Sequence, residues 1–396
     1  MKHLILFRLI IILLFCFVFS FKLIAQDKPK KTELNGYLNN MQSIQFQDLN
    51  GTWINDNILQ NRLNFTWFLS DKFTFATGLR TRFFTGESIK LIPGYADMIE
   101  SSDLGWMNLN FNIFADTSYA LNMNIDRLYL QYQIGKFKAT IGRQRINWSN
   151  TFVWNPNDLF NTYSFFDFDY VERPGSDAIR LQYFTSEVSS VELAAKIDKN
   201  EDYTASMLWK FNRLNYDFQL LGGVLNSSEL AIGGGWSGAL KNIDFKGETT
   251  YLRPLQNMND TTGQFMASVM LGYTFKNSVD VKLEFLYTDL VNGSFSNFYQ
   301  FYYLPLSVKT LSFTEFNLFG QTSYQITPLL FGSFSCMWYP KLNGFFAGPS
   351  IDYSFADNLF VSFVIQYFNA EMNDPQAATS ARQDATFAYL RLKWNF

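Results

Sequence analysis

The chain has 396 residues, with 32 Lys and Arg against 35 Asp and Glu and one histidine, His3. A net charge of −3 excludes the basic footprint of a nucleic-acid binder. Without histidine beyond position 3, Ser-His and His-Asp hydrolytic arrangements and most zinc sites are excluded too.

Lys2, His3 and Arg8 form a positive start, and Leu9 to Phe21 is an almost unbroken apolar run. Leu23-Ile24-Ala25 before Gln26 reads as a cleavage site, so residues 1–25 are expected to be a signal peptide. The run is shorter than the roughly 20 apolar residues of a spanning helix. Phe15 before Cys16 argues against lipidation, which needs a small residue there. Removing residues 1–25 takes three basic residues and no acidic one, leaving 29 Lys and Arg against 35 Asp and Glu. Only Cys336 then remains, so no internal disulfide can form, and its apolar strand makes it a packing residue.

Aromatic residues make up 18% of the chain, with 43 Phe and 21 Tyr, yet the mean hydropathy is −0.07. No apolar stretch after Ala25 is long enough for a spanning helix. This composition suits a membrane barrel, whose strands alternate apolar and polar residues between aromatic girdles. It would equally suit a secreted sandwich, so the pattern along the chain decides.

After a short lead at 26–31, the pattern has period two throughout. Leu63, Phe65, Trp67 and Leu69 interleave with Arg62, Asn64 and Thr66; Val279, Val281, Leu283 and Phe285 interleave with Asp280, Lys282 and Glu284. About eighteen such segments occur, with sixteen the smaller alternative. They lie near 32–45, 57–69, 73–84, 119–134, 137–147, 177–185, 190–197, 203–212, 214–224, 229–240, 243–252, 264–275, 279–288, 314–326, 329–338, 343–355, 359–368 and 386–396. The connections sort by parity. Even ones are short (Gly135-Lys136, Lys241-Asn242, Thr327-Pro328), while 85–118, 148–176, 253–263, 289–313 and 369–385 are long and odd. Short periplasmic turns alternating with long outer loops are the mark of a transmembrane up-and-down antiparallel β-barrel, expected over 32–396. The last segment alternates Ala388, Leu390, Leu392, Trp394 and Phe396 with polar residues, and Phe396 resembles the terminal aromatic that the barrel-assembly machinery reads.

If the apolar face meets lipid, the polar face lines the lumen. Arg62, Arg80, Arg82, Arg127, Arg180, Arg391 and Lys393 then form a basic wall, joined by Arg143 and Arg145, whose phase is ambiguous. Opposite, Asp217, Asp244, Glu248, Asp280, Glu284, Glu315 and Asp352 face inward, with Lys246 and Lys282 among them. Such walls set a transverse field that tunes solute selectivity; the plainer alternative is cross-strand pairs that only solvate the wall.

The segment Gly142-Arg143-Gln144 through Trp154-Asn155-Pro156-Asn157-Asp158 to Phe165-Phe166-Asp167-Phe168-Asp169-Tyr170 is too apolar for a solvated loop. It is expected to fold into the lumen or onto the rim, with Trp154, Asn155, Asp158, Asp167 and Asp169 as constriction candidates. The Gly-Arg-Gln strand end and the Asn-Pro-x-Asp loop resemble porin-like and alginate-export-type barrels of Gram-negative bacteria. That resemblance covers residues 140–183 and implies a channel for small solutes in an outer membrane, bathed by lipid and lipopolysaccharide.

No cofactor is assigned. The Asn and Asp residues of 253–263 match no calcium loop, so no metal is assigned either. No pair of carboxylates stands out for catalysis, and the chain is read as a non-enzyme. The second reading is a structural barrel inside a larger secretion or uptake complex, with its lumen closed. No plug-sized N-terminal region speaks for a gated active transporter, and nothing marks an interface for a homo-oligomer.

Overall fold

A computed structural model describes residues 30–256, 258, 262–289, 307–374 and 379–396. The chain divides into two units, 1–31 and 32–396, and of the first only residues 30 and 31 are described. The expected signal peptide therefore lies outside the described residues.

The second unit is built of strands β1 (Thr32–Phe46), β2 (Ile54–Phe68), β3 (Phe73–Gly86), β4 (Asn110–Asp116), β5 (Tyr119–Ile134), β6 (Phe137–Gln144), β7 (Ser176–Ser186), β8 (Ser189–Ile197), β9 (Tyr203–Arg213) and β10 (Tyr216–Leu225). They continue as β11 (Glu229–Leu240), β12 (Ile243–Pro254), β13 (Gln264–Thr274), β14 (Asp280–Thr288), β15 (Phe316–Thr327), β16 (Leu330–Tyr339), β17 (Gly344–Ala356), β18 (Leu359–Asp374) and β19 (Thr379–Asn395). All pairings are antiparallel, and β1 pairs with β19 to close the ring. Gly36 and Phe396 exchange backbone hydrogen bonds of 2.9 and 3.0 Å at that seam. The result is a closed antiparallel barrel with an eighteen-strand wall.

β4 is the extra strand. β3 pairs directly with β5, and β4 takes the other edge of β5 at Tyr119–Asn124. β6 reaches only the lower part of β5, from Leu128 to Ile134. The 87–118 connection, with two short helices at Ser88–Leu91 and Tyr95–Ser101, thus fills the gap that the short β6 leaves in the wall.

The connection lengths alternate as expected. Turns at 135–136, 187–188, 214–215, 241–242, 328–329 and 357–358 mark one end, and 87–118, 145–175 and 289–315 the other. The expected long loop at 369–385 is instead strand: β18 and β19 run on to Asp374 and Thr379. There the alternation inverts. Ala370 and Met372 are buried inside, while Asn369 takes hydrogen bonds from Arg382. Outward residues become polar where the wall rises above the apolar belt, and this disguised the strand as loop.

Outward positions carry large apolar side chains around the wall: Ile179, Leu193, Leu220, Ile232, Leu283 and Leu390 are each about half exposed. A belt of this kind is stable against lipid rather than water. Aromatic contacts cluster at its two margins. Phe73 with Tyr132 and Trp394 with Phe396 lie at the short-turn end, and Phe265 with Tyr287 and Phe345 with Tyr367 at the other. The main hydrophobic core lies inside the ring, where Leu221, Met266, Leu286, Phe319, Met337 and Phe346 surround the 145–175 connection.

Candidate functional site

Register fixes the inner face. Arg62 pairs with Arg80 and Tyr37; Arg82 pairs with Gln60 and Asn122; Met41 pairs with Arg391 and Asn39 with Lys393. Arg62, Arg80, Arg82, Arg391 and Lys393 therefore share one wall, on β2, β3 and β19, with β1 between β2 and β19. Arg180 stands further round on β7, in a two-point ion pair with Glu192 of β8 at 2.7 Å.

The strongest pair of this wall involves a residue that plain alternation conceals. Gly78 pairs with Arg127 but Leu79 with Ile125, so Asp126 is the extra residue of a bulge. Asp126 and Arg127 both reach inward. Arg62 donates to Asp126 from Nη1 and Nη2 at 2.6 and 2.8 Å, and both side chains are buried. Gly78 makes room, since a Cβ there would lie 2.7 Å from Arg62 Nη2. Arg127 donates to the carbonyls of Glu172 and Arg173. Adjacent charges Asp126-Arg127 within one strand were the available signal: only a bulge keeps both from lipid.

Arg143 sits apart from these. It pairs in register with Leu128 and Asp177 and alternates with the exposed Ile141. Its guanidinium binds Asp177 at 2.7 Å through two nitrogens, and also Asp103 and the Met107 carbonyl. It thereby clasps the 87–118 connection onto the short end of β6. Gly142 precedes it at φ +113°, where a Cβ would strike the Leu128 carbonyl at 2.2 Å. Gln144 completes the motif by donating to the Thr140 and Ala178 carbonyls. Arg145 is half-buried near the Tyr163 ring, 5.9 Å from its centroid.

Glu248 and Glu284 share the inner face of β12 and β14, and both are buried beneath the 145–175 segment, at 0% and 1% exposure. Glu284 accepts from the backbone N–H groups of Phe152, Val153 and Trp154 at 3.0, 2.9 and 2.8 Å, and from Ser268 Oγ at 2.9 Å. Glu248 accepts from the N–H groups of Asn150, Thr151 and Asn157. A segment without regular structure must find partners for its buried amides, and two wall carboxylates supply them. Asn157 also takes a 2.6 Å hydrogen bond from Thr250 Oγ1 and donates to the Gly234 carbonyl at 3.0 Å.

Four of the remaining inner acids lie toward the short-turn end, and Glu315 lies at the other. Asp244 is exposed, Asp280 pairs with Lys282, and Asp352 accepts from Ser362 and stands 3.8 Å from Arg391. Asp217 accepts from Asn212 at 2.7 Å, and Glu315, just before β15, pairs with Lys341.

From Trp148 to Glu172 the same segment meets much of the wall. Trp148 Nε1 donates to Glu192 at 2.6 Å; Trp154 and Phe165 pack on Phe319 of β15; Phe166 packs on Phe346 of β17 and Phe368 of β18. Phe168 packs on Tyr389 of β19, with ring centroids 4.9 Å apart. Asp169 accepts from Asn39 at 2.7 Å, and Tyr170 donates to Asp126 at 2.6 Å beneath the Arg80 guanidinium. Asn155 is buried, donating to the Val153 carbonyl at 3.2 Å, whereas Asp167 is exposed. Asp158 is fully buried, and burial, aided by nearby Glu248, pushes its carboxyl up to about 7. Residues 307–315 pack beside this segment, with Val308, Leu311 and Phe313 buried.

No family model matches the sequence, and no curated protein does. Solved structures match its shape. OccAB3 of Acinetobacter baumannii aligns with a TM-score of 0.57 at 11% identity, covering 92% of this chain and 99% of that one. OprD of Pseudomonas aeruginosa aligns at 0.57 and 10% identity, covering 94% and 97%. OccK11 of Pseudomonas aeruginosa aligns at 0.55 and 10%, covering 92% and 96%. At these identities the likeness is one of fold: this chain shares the eighteen-strand barrel of the Occ outer-membrane porins.

Proposed function

We propose that this protein is a porin-like channel of the outer membrane, passing small polar or charged solutes along a basic lumen wall past the inward-folded 145–175 loop. One observation carries this reading: five cations, Arg62, Arg80, Arg82, Arg391 and Lys393, are gathered on the inner face of three strands, β2, β3 and β19, on either side of β1. Around eighteen strands make a barrel wide enough for an aqueous path. Cations on an inner wall are costly unless solvent, counter-ions or solute meet them.

The apolar core within the ring favours a second reading, a non-conducting barrel that serves as a structural subunit. Planar-bilayer recording separates the two. Steady single-channel steps support the channel; silence from correctly folded, heat-modifiable protein supports the structural subunit. The chain is proposed as a passive path and not as a catalyst.

A further inference from the structure

The outer surface of the wall carries a feature that a lipid-facing belt does not explain. On β1 the side chains facing the lumen are Tyr37, Asn39 and Met41, all buried, so Leu38, Asn40 and Gln42 face outward. Asn40 and Gln42 pair in register with Leu392 and Leu390 of β19, two half-exposed leucines of the apolar belt. Register also brackets their depth. Below Asn40, Leu38 pairs with Trp394 of the short-turn margin; above Gln42, Phe46 pairs with Thr386, itself paired with Tyr367 of the opposite margin. The two amides therefore stand between the aromatic margins, where the wall meets hydrocarbon.

β2 and β3 extend the patch. Asn57 pairs with Gln42, and Asn61 pairs with Leu38 on one side and Thr81 on the other. Gln60 and Arg62, which flank Asn61, point inward to Tyr37 and Asp126, so Asn61 faces out. These amides satisfy one another only in part. Asn40 and Asn57 exchange hydrogen bonds of 3.1 and 3.4 Å, and Asn57 donates to Gln42 at 3.2 Å. Among the described residues, Gln42 and Asn61 donate only at 3.5 Å, to the Ser43 and Tyr37 carbonyls. A carboxamide has two N–H groups and two acceptor lone pairs, so much of this capacity is unused. Hydrocarbon supplies no partner for it.

We infer that this patch is the contact between two copies of the chain, standing side by side in the membrane about a two-fold axis along its normal. Copies inserted in the same sense hold their patches at the same depth, and the two-fold brings like residues face to face. Carboxamides both donate and accept, so the patch complements itself. Asn40, Gln42, Asn57 and Asn61 of one copy supply what those of the other lack, as polar side chains do between membrane-embedded segments. A different barrel would need its own amides at this depth, whereas a second copy has them by identity. The contact lies outside the ring, so it is independent of whether the lumen conducts.

Cysteine crosslinking tests it. In a Cys336→Ser background, Leu59→Cys places a thiol within the patch, at an exposed position in register with Asn40. Ile232→Cys places one at an exposed position on β11, away from the patch. Outer membranes carrying either variant are oxidised with copper phenanthroline. The two-fold contact predicts a disulfide-linked dimer from Leu59→Cys and none from Ile232→Cys. Asn40→Leu, Gln42→Leu, Asn57→Leu and Asn61→Leu together give the wall an ordinary apolar face, on which the barrel still folds, as heat-modifiability verifies. In that variant the dimerisation constant, read by diluting proteoliposomes with lipid, falls roughly 10- to 50-fold, the effect of losing two to four hydrogen bonds between membrane-embedded side chains. No Leu59→Cys dimer from folded protein overturns the contact, and so does a dimer that the four leucines leave unchanged. A conjugate of Leu59→Cys with a different protein overturns the second copy as the partner.

Discussion

Arg62 and Arg80 stand directly opposite each other across the β2–β3 ladder, two like charges at a position where like charges repel. Asp126 resolves the conflict by binding Arg62 at two points, while Arg80 turns onto the Tyr170 ring, 3.9 Å from its centroid. Asp126→Asn should therefore destabilise the barrel by about 3–5 kcal/mol, the usual cost of leaving one member of a buried pair uncompensated. Arg80→Ala, which removes the repelling partner, should cost distinctly less. Urea midpoints of the two variants in detergent check the order.

The Glu284 carboxylate is the acceptor for three consecutive loop amides. Glu284→Ala leaves those N–H groups buried without a partner, at ~1–3 kcal/mol each before relaxation. Hydrogen exchange at residues 152–154 should accelerate far more than at the wall strands. If protection there is unchanged, the loop is held by its aromatic contacts instead.

Asp158 sets a pH dependence with a definite sign. Its carboxyl titrates at about 7 in the folded barrel, well above the ordinary 3.8, because burial disfavours the charge. The folded state thus binds more protons between about pH 4 and about pH 7. The Asp158 contribution to stability is greatest below that window, falls through it as pH rises, and is constant above it. Asp158→Asn should flatten the dependence of the heat-modifiability midpoint between those limits. An equal slope in both proteins would assign the effect to another group.

Selectivity should follow the cation wall. Arg80→Ala combined with Arg82→Ala removes two of the five gathered cations, and the reversal potential under a salt gradient should move toward weaker anion preference. A reversal potential that stays put places the ion path away from β3.

Much of this architecture was legible because lipid and lumen impose opposite requirements on alternate residues. Leu63 and Phe65 against Arg62 and Asn64 assign β2 its two faces without further information. The reading weakened where those requirements change. Above the apolar belt, Asn369 faces out and Ala370 faces in, so the last stretch of β18, beyond 368, looked like loop. At Asp126 a single inserted residue put two neighbours on one face, and the partner of Arg62 went unnoticed. Arg143 fell in an ambiguous phase because its role is to clasp a connection, which no periodicity encodes. The apolar interior escaped for a related reason: Phe319 and Phe346 fit the alternation poorly as lumen residues until the aromatic loop that covers them is seen.

The 145–175 loop touches strands from both ends of the chain: Asn39 and Tyr37 on β1, and Tyr389 and Arg391 on β19. Those two strands meet only at the seam that completes the ring. Until the seam forms, the loop lacks part of its binding surface, and until the loop is seated, the seam lacks its inner support. Zipping of the ring and seating of the loop therefore become one cooperative step. A barrel that closes around an unseated loop would leave aromatic surface wet inside itself, so correct assembly is checked from within.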